Sequence, residues 1–248
     1  MTQITENETI KKAYNAAYKE EIKRGSGNDG ISEFEFVCNI IEKYLKRGDV
    51  VYDIGSGTGK YSEHCLLKGN SVGCVDISDK LIDYFNRRIG SELKNKLIFS
   101  KTCCATNLEW ISVESADLVL LMGPMYHITD LNYREKVYYQ IYNILKKNGI
   151  LIVVFLNSLE KNDTPPFLNH NIIRYQQHSG YDISHVRFGG FSVPQFRCKP
   201  IFAVAESKEW FIPVEINKFR KHFQVGHTDS KHASDFISDQ YTVVFRKR

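Results

Sequence analysis

The chain has 248 residues, 42% of them apolar, a length that suits one main domain with one substantial core. Lysine and arginine number 33 against 29 acidic residues, and the net charge of +4 is spread along the chain, which disfavours a nucleic-acid substrate. No apolar run reaches the roughly 18 residues of a membrane helix and the N-terminus lacks the apolar segment of a signal peptide, so we expect a cytoplasmic protein without a membrane contact.

The N-terminal residues 1–47 predict a helical cap ahead of the first strand. Residues 8–24 favour a helix that carries Tyr14 and Tyr18, four apart, on one face. A glycine-rich break follows, and residues 36–45 then carry a second apolar helical stripe.

Residues 48–157 alternate short β-branched runs with helical periods, the pattern of βαβ units and a parallel sheet. Before the last strand, apolar residues four apart predict a helix that ends at residues 146–149, where two lysines suit the negative pole of the helix dipole. The candidate strands are 50–54, 71–76, 97–101, 117–122 and 150–156.

After this core the periodicity is lost. Residues 158–213 are aromatic and rich in turn residues, and we interpret them as an insertion or lid. Their aromatic side chains suit an acceptor cavity, a dimer contact or ordinary core equally well. Residues 214–248 predict a short helix over 214–223 and a final strand over 240–245, so that residues 1–248 form a single domain.

A glycine-rich turn follows the first strand. Asp53 closes that strand, and Gly55, Gly57 and Gly59 come before the next helix, so the backbone there is open to close approach by a ligand. Asp76 ends the second strand, where a carboxylate can accept hydrogen bonds from both hydroxyls of an adenosine ribose. A small nucleotide-like ligand is the prediction.

The spacing of these glycines disfavours a dinucleotide. A dinucleotide fingerprint requires G-x-G-x-x-G. Counted from Gly55 the sixth position is Lys60, and counted from Gly57 it is Ser62.

The run from Val51 to Gly59, with G-x-G-x-G and an acid two positions before it, resembles motif I of class I S-adenosylmethionine-dependent methyltransferases. The resemblance extends from residue 50 to about residue 156 through four segments in the family's order, and Asn148 stands where the family has the first glycine of the turn into strand five. It implies S-adenosylmethionine as cofactor, S-adenosylhomocysteine as product, and a Rossmann-like α/β three-layer sandwich with a mostly parallel seven-stranded sheet.

In that family the motif I loop holds the methionine and adenosine portions of the cofactor. The family's ribose-binding acid corresponds to Asp76, and its apolar neighbour of the adenine to Ile77. Cys104 replaces the acid that often binds the adenine amino group, so we expect that contact from the backbone near Ala105. The complete set of predicted cofactor-binding residues is Tyr14, Asp53, Gly55, Ser56, Gly57, Thr58, Gly59, Asp76, Ile77, Cys104, Ala105 and Met122.

The fourth strand ends in Met-Gly-Pro-Met-Tyr-His at residues 122–127, at the rim where parallel sheets present substrates. Nucleic-acid amino-methyltransferases carry an acid or asparagine, two prolines and an aromatic residue there; the near match at residues 164–167 falls in the insertion. The rim is similar to the Tyr-His turn of many bacterial small-molecule methyltransferases. His127 is a candidate general base and Tyr126 a candidate acceptor contact, while capping of the next helix or lining of the methionine pocket are alternatives for His127.

The predicted function is transfer of the sulfonium methyl group to oxygen, nitrogen or carbon of a small-molecule acceptor, by a monomer or homodimer. Two alternatives remain: a regulatory protein that binds the cofactor without catalysis, and a nicotinamide-dependent oxidoreductase. No metal site is expected, because the late histidines lack zinc-ligand spacing. These histidines are His170, His178, His185, His222, His227 and His232.

Overall fold

The computed structural model describes residues 3–23, 33–156, 172–177, 181–223 and 236–248. The helices are α1 (Gln3–Ala16), α2 (Tyr18–Lys23), α3 (Glu33–Tyr44), α4 (Lys60–Leu67), α5 (Asp79–Arg88), α6 (Ser91–Lys94), α7 (Leu131–Ile144) and α8 (Pro200–Ser207), with a 3₁₀ turn at Pro124–Tyr126. The strands are β1 (Val50–Ile54), β2 (Ser71–Asp76), β3 (Leu97–Thr102), β4 (Ala116–Leu121), β5 (Leu145–Leu156), β6 (Ile172–Gln177), β7 (Tyr181–Phe188), β8 (Phe191–Cys198), β9 (Phe211–Phe223) and β10 (Phe236–Lys247).

The core of the sheet runs in the order β3-β2-β1-β4-β5-β10-β9. The first five strands are parallel neighbours, and β10 is antiparallel to both β5 and β9. Strands β1 and β2 have the predicted bounds, and β3 and β4 begin and end within one residue of theirs. The predicted Rossmann-like α/β fold with a mostly parallel sheet is confirmed.

Each face of the sheet has its own apolar core. On one face, side chains of α3, α4 and α5 pack on alternating strand residues such as Val51 and Leu118. On the other face, α7 and α8 pack on the strand residues that point the opposite way, such as Tyr52 and Val119. The alternation of a strand's side chains therefore produces the three layers.

The predicted strand count of seven is too low, because the described residues alone form ten strands of the sheet. The additional three, β6, β7 and β8, form an antiparallel unit that joins β5 through one parallel pairing, Leu156 with Arg197. They fall in the predicted insertion of residues 158–213, whose residues 158–171 and 178–180 lie outside the described part of the chain, as does the 164–167 near match.

Residues 214–223 are not the predicted short helix but most of strand β9, which pairs with β10 along its length. Ile212, Val214 and Ile216 alternate with other residues at period two, and β10 offers a free backbone edge that such a segment can pair with. Pairing with β10 thus decides between helix and strand for a segment whose local pattern permits both.

The helix before β5 also ends earlier than predicted. It stops at Ile144, and residues 146–149 belong to β5. Asn148 has a φ of 62°, a left-handed conformation that asparagine adopts more readily than most side chains. A glycine-like turn is therefore made without glycine at that position.

Candidate cofactor and acceptor site

The glycine turn after β1 lies at the carboxyl edge of the parallel strands, next to the end of β2. Its backbone amides at Gly55 and Ser56 donate hydrogen bonds to the carbonyl of Val75, at 2.8 and 2.9 Å. Gly55, Gly57 and Gly59 have φ angles of 78°, 55° and 77°, a region that favours glycine.

The surroundings of the three glycines differ. A Cβ atom at Gly55 would lie 2.4 Å from the Pro124 side chain, and one at Gly59 would lie 2.1 Å from the Phe85 ring. A Cβ atom at Gly57 would meet nothing within 4 Å. Two of the glycines are thus needed for packing, whereas Gly57 faces open space at the top of the turn.

Asp53 is fully buried beneath this turn. Its Oδ2 accepts a hydrogen bond from the Ser62 hydroxyl at 2.7 Å, and its Oδ1 accepts none from the residues that the structure describes. Burial raises the pKa of Asp53 to about 7. A buried acceptor without a donor is costly, so this atom fits a ligand that brings a hydrogen-bond donor or a positive charge.

Asp76 joins the glycine turn to β2. Its Oδ2 accepts from the Gly57 amide and its Oδ1 from the Ser78 amide, both at 2.8 Å. Burial raises the pKa of Asp76 to about 6. Each carboxylate oxygen has further acceptor capacity, so a neighbouring pair of ligand hydroxyls can be bound there.

The remaining predicted cofactor residues surround the same edge. Ile77 packs against an apolar cluster that includes Tyr14 of α1. Ala105 is buried, and the Cys104 thiol lies 3.1 Å from the Thr106 hydroxyl. Met122 packs against the core on the α4 and α5 face. The Thr58 carbonyl accepts a hydrogen bond from Arg88, at 3.4 Å.

His127 follows the 3₁₀ turn after β4 and has partners for both ring nitrogens. Its Nδ1 lies 2.8 Å from the Pro194 carbonyl of β8, and its Nε2 lies 2.8 Å from the Tyr14 hydroxyl of α1. Because a carbonyl can only accept, Nδ1 carries the proton, and in the neutral ring Nε2 accepts from Tyr14. Tyr126, the predicted acceptor contact, packs against the core on the α4 and α5 face.

Helix α1 covers the edge from Asp76 to the His127 turn. At one end, the Asn15 amide donates to Asp79 at 2.9 Å and its carbonyl oxygen accepts from Ser78 at 2.6 Å. At the other end, the Glu6 carboxylate accepts from the Thr129 hydroxyl at 2.9 Å. The backbone of α1 also touches Gly189, where a Cβ atom would lie 2.3 Å from the Ala13 carbonyl oxygen.

Arg134 is not among the site residues predicted from the sequence. It is buried in the first turn of α7 and paired with Glu206 of α8. A signal was available, because Arg134 shares the helical stripe of Val137, Tyr138 and Ile141, all of which are buried. A charged residue inside an apolar stripe indicates a buried polar contact.

Within the described residues, no group of three or more histidine, cysteine, aspartate or glutamate side chains has the arrangement of a metal site. Of the late histidines, the side chains of His170, His178, His222, His227 and His232 fall outside that description. No described helix is both long and apolar enough to cross a membrane.

Comparison with protein families finds a match between residues 52–153 and the methyltransferase domain. The matched segment runs from β1 into β5 and contains the glycine turn, Asp76 and the His127 turn. The resemblance to class I methyltransferases drawn from the sequence is thereby confirmed. No curated protein matches the chain in sequence.

Solved structures of the same fold are numerous. A SAM-dependent methyltransferase from Methanosarcina mazei has a TM-score of 0.63 at 18% identity over 84% of this chain and 96% of that one. Burkholderia thailandensis 1,6-didemethyltoxoflavin-N1-methyltransferase, solved with 1,6-didemethyltoxoflavin and S-adenosylhomocysteine, has a TM-score of 0.67 at 13% identity over 100% and 91%. The [4+2]-cyclase SpnF has a TM-score of 0.60 at 13% identity over 86% and 75%. At these identities the likeness concerns the fold.

Proposed function

We propose that this chain, which has the class I methyltransferase fold and matches the methyltransferase domain over residues 52–153, transfers the methyl group of S-adenosylmethionine to a small-molecule acceptor. The carrying observation is the meeting of Asp76 and Gly57 at the ends of adjacent strands, with open space in front of Gly57. S-adenosylmethionine supplies an already activated methyl group there and leaves as S-adenosylhomocysteine.

The residues present fit this cofactor. Asp76 keeps acceptor capacity for two ribose hydroxyls, and the unpartnered Oδ1 of buried Asp53 suits the positive charge of the methionine portion. Gly57 gives the ligand close access to the backbone. Ile77, Cys104, Ala105 and Met122 complete the proposed binding surface around the adenine and methionine portions, with Ser56 and Thr58 in the turn.

The acceptor side of the site is formed by the His127 turn, α1 and β8. If the acceptor must lose a proton, Tyr14 can take it while passing its own phenolic proton to Nε2 of His127, whose Nδ1–H remains bound to the Pro194 carbonyl. In this scheme Tyr14 contacts the acceptor, and the His127 ring carries the positive charge as an imidazolium. Tyr126 as an acceptor contact stays a prediction.

A small acceptor suits an edge that α1 and the antiparallel strands cover. The Burkholderia thailandensis enzyme of the same fold was solved with a small molecule and S-adenosylhomocysteine. Covered sites exclude water and hold the acceptor in line with the methyl group, which supplies much of the rate. Oxygen, nitrogen or carbon as the accepting atom, a cytoplasmic location and a monomeric or homodimeric state belong to the same proposal.

Labelled methyl transfer from S-adenosylmethionine into the small-molecule fraction of a cell extract tests the activity. We expect label in at least one small molecule with the natural chain and much less with the Asp76→Asn variant at a cofactor concentration that does not saturate the variant. Binding of S-adenosylhomocysteine without any labelled product would favour the alternative of a regulatory cofactor-binding protein. The [4+2]-cyclase SpnF has the same fold, so an activity other than methyl transfer is a second candidate function.

A further inference from the structure

Arg134 binds the turn that carries His127 from beneath. Its Nη1 donates to the backbone carbonyls of Met125 and Ile128, at 2.7 and 3.0 Å. These two residues lie on either side of His127. The hydrogen bonds therefore fix the direction of the backbone from which the imidazole projects.

The other donors of Arg134 bind Glu206 of α8. The Nε atom pairs with Oε1, and the Nη2 atom lies 3.1 Å from Oε2. The Tyr138 hydroxyl also donates to Oε2, at 3.3 Å. A two-point contact of this kind sets the orientation of the guanidinium plane.

The same guanidinium lies over the Phe196 ring, 3.7 Å from its centroid. Phe196 is two residues from Pro194 on β8, and the Pro194 carbonyl accepts the Nδ1 proton of His127. Arg134 thus contacts both sides of the His127–Pro194 hydrogen bond, through the turn on one side and through β8 on the other.

Stability alone does not explain an ion pair between the fully buried Arg134 and the largely buried Glu206, because taking the charges out of water costs about as much as their attraction returns. Here the pair holds four separate pieces of chain in one arrangement: α7, α8, β8 and the His127 turn. Fixing that arrangement is a role that an apolar core would not supply.

We propose that Arg134, locked by Glu206 and Phe196, is a positioning residue that holds His127 in its Nδ1-protonated form against Tyr14. The docking of α8 and β8 thereby sets the geometry of the acceptor side of the site. This inference rests on the proposed function only in calling that side the acceptor side; the arrangement itself can be tested without any methyl transfer.

The test uses the full chain and the nitrogen signals of the His127 ring in long-range proton–nitrogen NMR, assigned with a His127→Gln variant. The main variant combines Arg134→Met with Glu206→Leu, which removes both charges together and leaves no unpaired buried ion. Lys247→Met is the matched control. Lys247 is also a buried cation that donates to a backbone carbonyl, that of Leu145. Leu145 is the first residue of β5, whereas β8 pairs with the last residue of that strand.

In the natural chain we expect one protonated and one unprotonated ring nitrogen at His127, as a single fixed tautomer gives. In the double variant we expect averaged signals from exchanging tautomers, with the affinity for S-adenosylhomocysteine changed less than about threefold, since a contact remote from the cofactor adds little to its binding. The Lys247→Met control should keep the natural His127 signals.

Unchanged His127 signals in the folded double variant would overturn the proposal. If that variant does not fold, Arg134→Lys takes its place, because lysine keeps the charge pair but cannot reach Glu206 and both carbonyls at once. Unchanged signals in Arg134→Lys would overturn the proposal equally. A changed His127 signal in a chain that transfers no methyl group would leave this inference standing and refute the proposed function.

Discussion

Gly55, Gly57 and Gly59 all take positive φ angles, but only Gly57 has open space where a side chain would project. Gly57→Ala should cost about 1–2 kcal/mol of unfolding free energy for its backbone conformation. It should also abolish most binding of S-adenosylhomocysteine, because the added methyl group occupies ligand space. Calorimetric titration and thermal unfolding measure the two effects.

Gly48→Ala is the matched control for this substitution. Gly48 also has a positive φ, of 91°, and open space around it, but it lies before β1, away from the carboxyl edge. The Gly48→Ala variant should lose a similar amount of unfolding free energy and should bind S-adenosylhomocysteine with the affinity of the natural chain. Equal affinities of the two alanine variants would contradict the placement of the ligand at Gly57.

Asp76→Asn should weaken binding of S-adenosylhomocysteine by roughly 10- to 150-fold, which corresponds to about 1.5–3 kcal/mol for hydrogen bonds to a charged group. Asp117→Asn provides the control, because Asp117 also accepts a backbone hydrogen bond, from Val50, but at the start of β4. An unchanged affinity in Asp76→Asn would refute the ribose assignment.

The two buried carboxyl groups predict a pH dependence. Burial raises the pKa of Asp53 to about 7 and that of Asp76 to about 6, well above 3.8. A group whose folded pKa exceeds its unfolded value holds more protons when folded, so its contribution to stability is complete below the unfolded pKa and is lost as the pH rises through the folded pKa. For these two groups, stability without ligand should fall as the pH rises from about 4 to about 7.

Ligand binding should show the opposite trend. Ionised Asp76 accepts hydroxyl donors better than the neutral acid, so affinity for S-adenosylhomocysteine should increase from about pH 5.5 to about pH 8, with release of protons on binding. Titrations in buffers of different ionisation enthalpy measure the released protons. In Asp76→Asn the release should fall, and an identical release there would contradict the assignment.

At the scale of elements, α1 is predicted to act as a cover that slows ligand dissociation. Asn15 ties α1 to Ser78 and Asp79 beside Asp76. Asn15→Ala should therefore speed amide hydrogen exchange in α1 and raise the dissociation rate of S-adenosylhomocysteine by a few-fold, as expected for losing about 1 kcal/mol of hydrogen bonding.

Lys12→Ala, on the exposed face of the same helix, is the control and should leave both rates unchanged. If Asn15→Ala and Lys12→Ala behave alike, α1 does not cover the bound ligand in the way its contacts indicate.

Elements with strong local patterns were predictable, and those that depend on distant partners were not. Strands β1 and β2 are mostly apolar and mostly buried runs that follow turn residues, and their bounds were predicted correctly. The helix predicted at 214–223 was wrong. The segment is a strand because it pairs with β10, and its own sequence pattern does not show that this partner exists. A period of two over so few residues does not outweigh a competing helical pattern.

The residues of the candidate site also divide into those that a local pattern predicts and those that depend on distant partners. The glycine turn and Asp76 follow adjacent strands and could be placed from the order of the segments. The contact between Tyr14 and His127 joins residues 113 apart, and that between Arg134 and Glu206 joins residues 72 apart. Such contacts arise when α1, α7 and α8 pack on the sheet, so a local pattern can indicate that Arg134 is buried but cannot identify the partner of either residue.

At the scale of the whole molecule, the fold determines where a ligand binds more than it determines which reaction takes place there. The order β3-β2-β1-β4-β5 places the turn after β1 and the ends of β2 and β4 at one edge. Ligands bind at such edges in open α/β sheets. Strand β8, one of three antiparallel strands beyond β5, reaches His127 through the Pro194 carbonyl. The proposed acceptor side therefore includes a part of the chain that differs from a plain parallel sheet.

The central claim is that the edge near Gly57 and Asp76 binds S-adenosylmethionine, and calorimetric titration of the natural chain with S-adenosylmethionine, S-adenosylhomocysteine and NAD tests it most directly. We predict saturable binding of the first two at a single site and no binding of NAD, because Lys60 and Ser62 stand where a dinucleotide fingerprint needs glycine. Tight binding of NAD without a response to S-adenosylmethionine or S-adenosylhomocysteine would contradict the account.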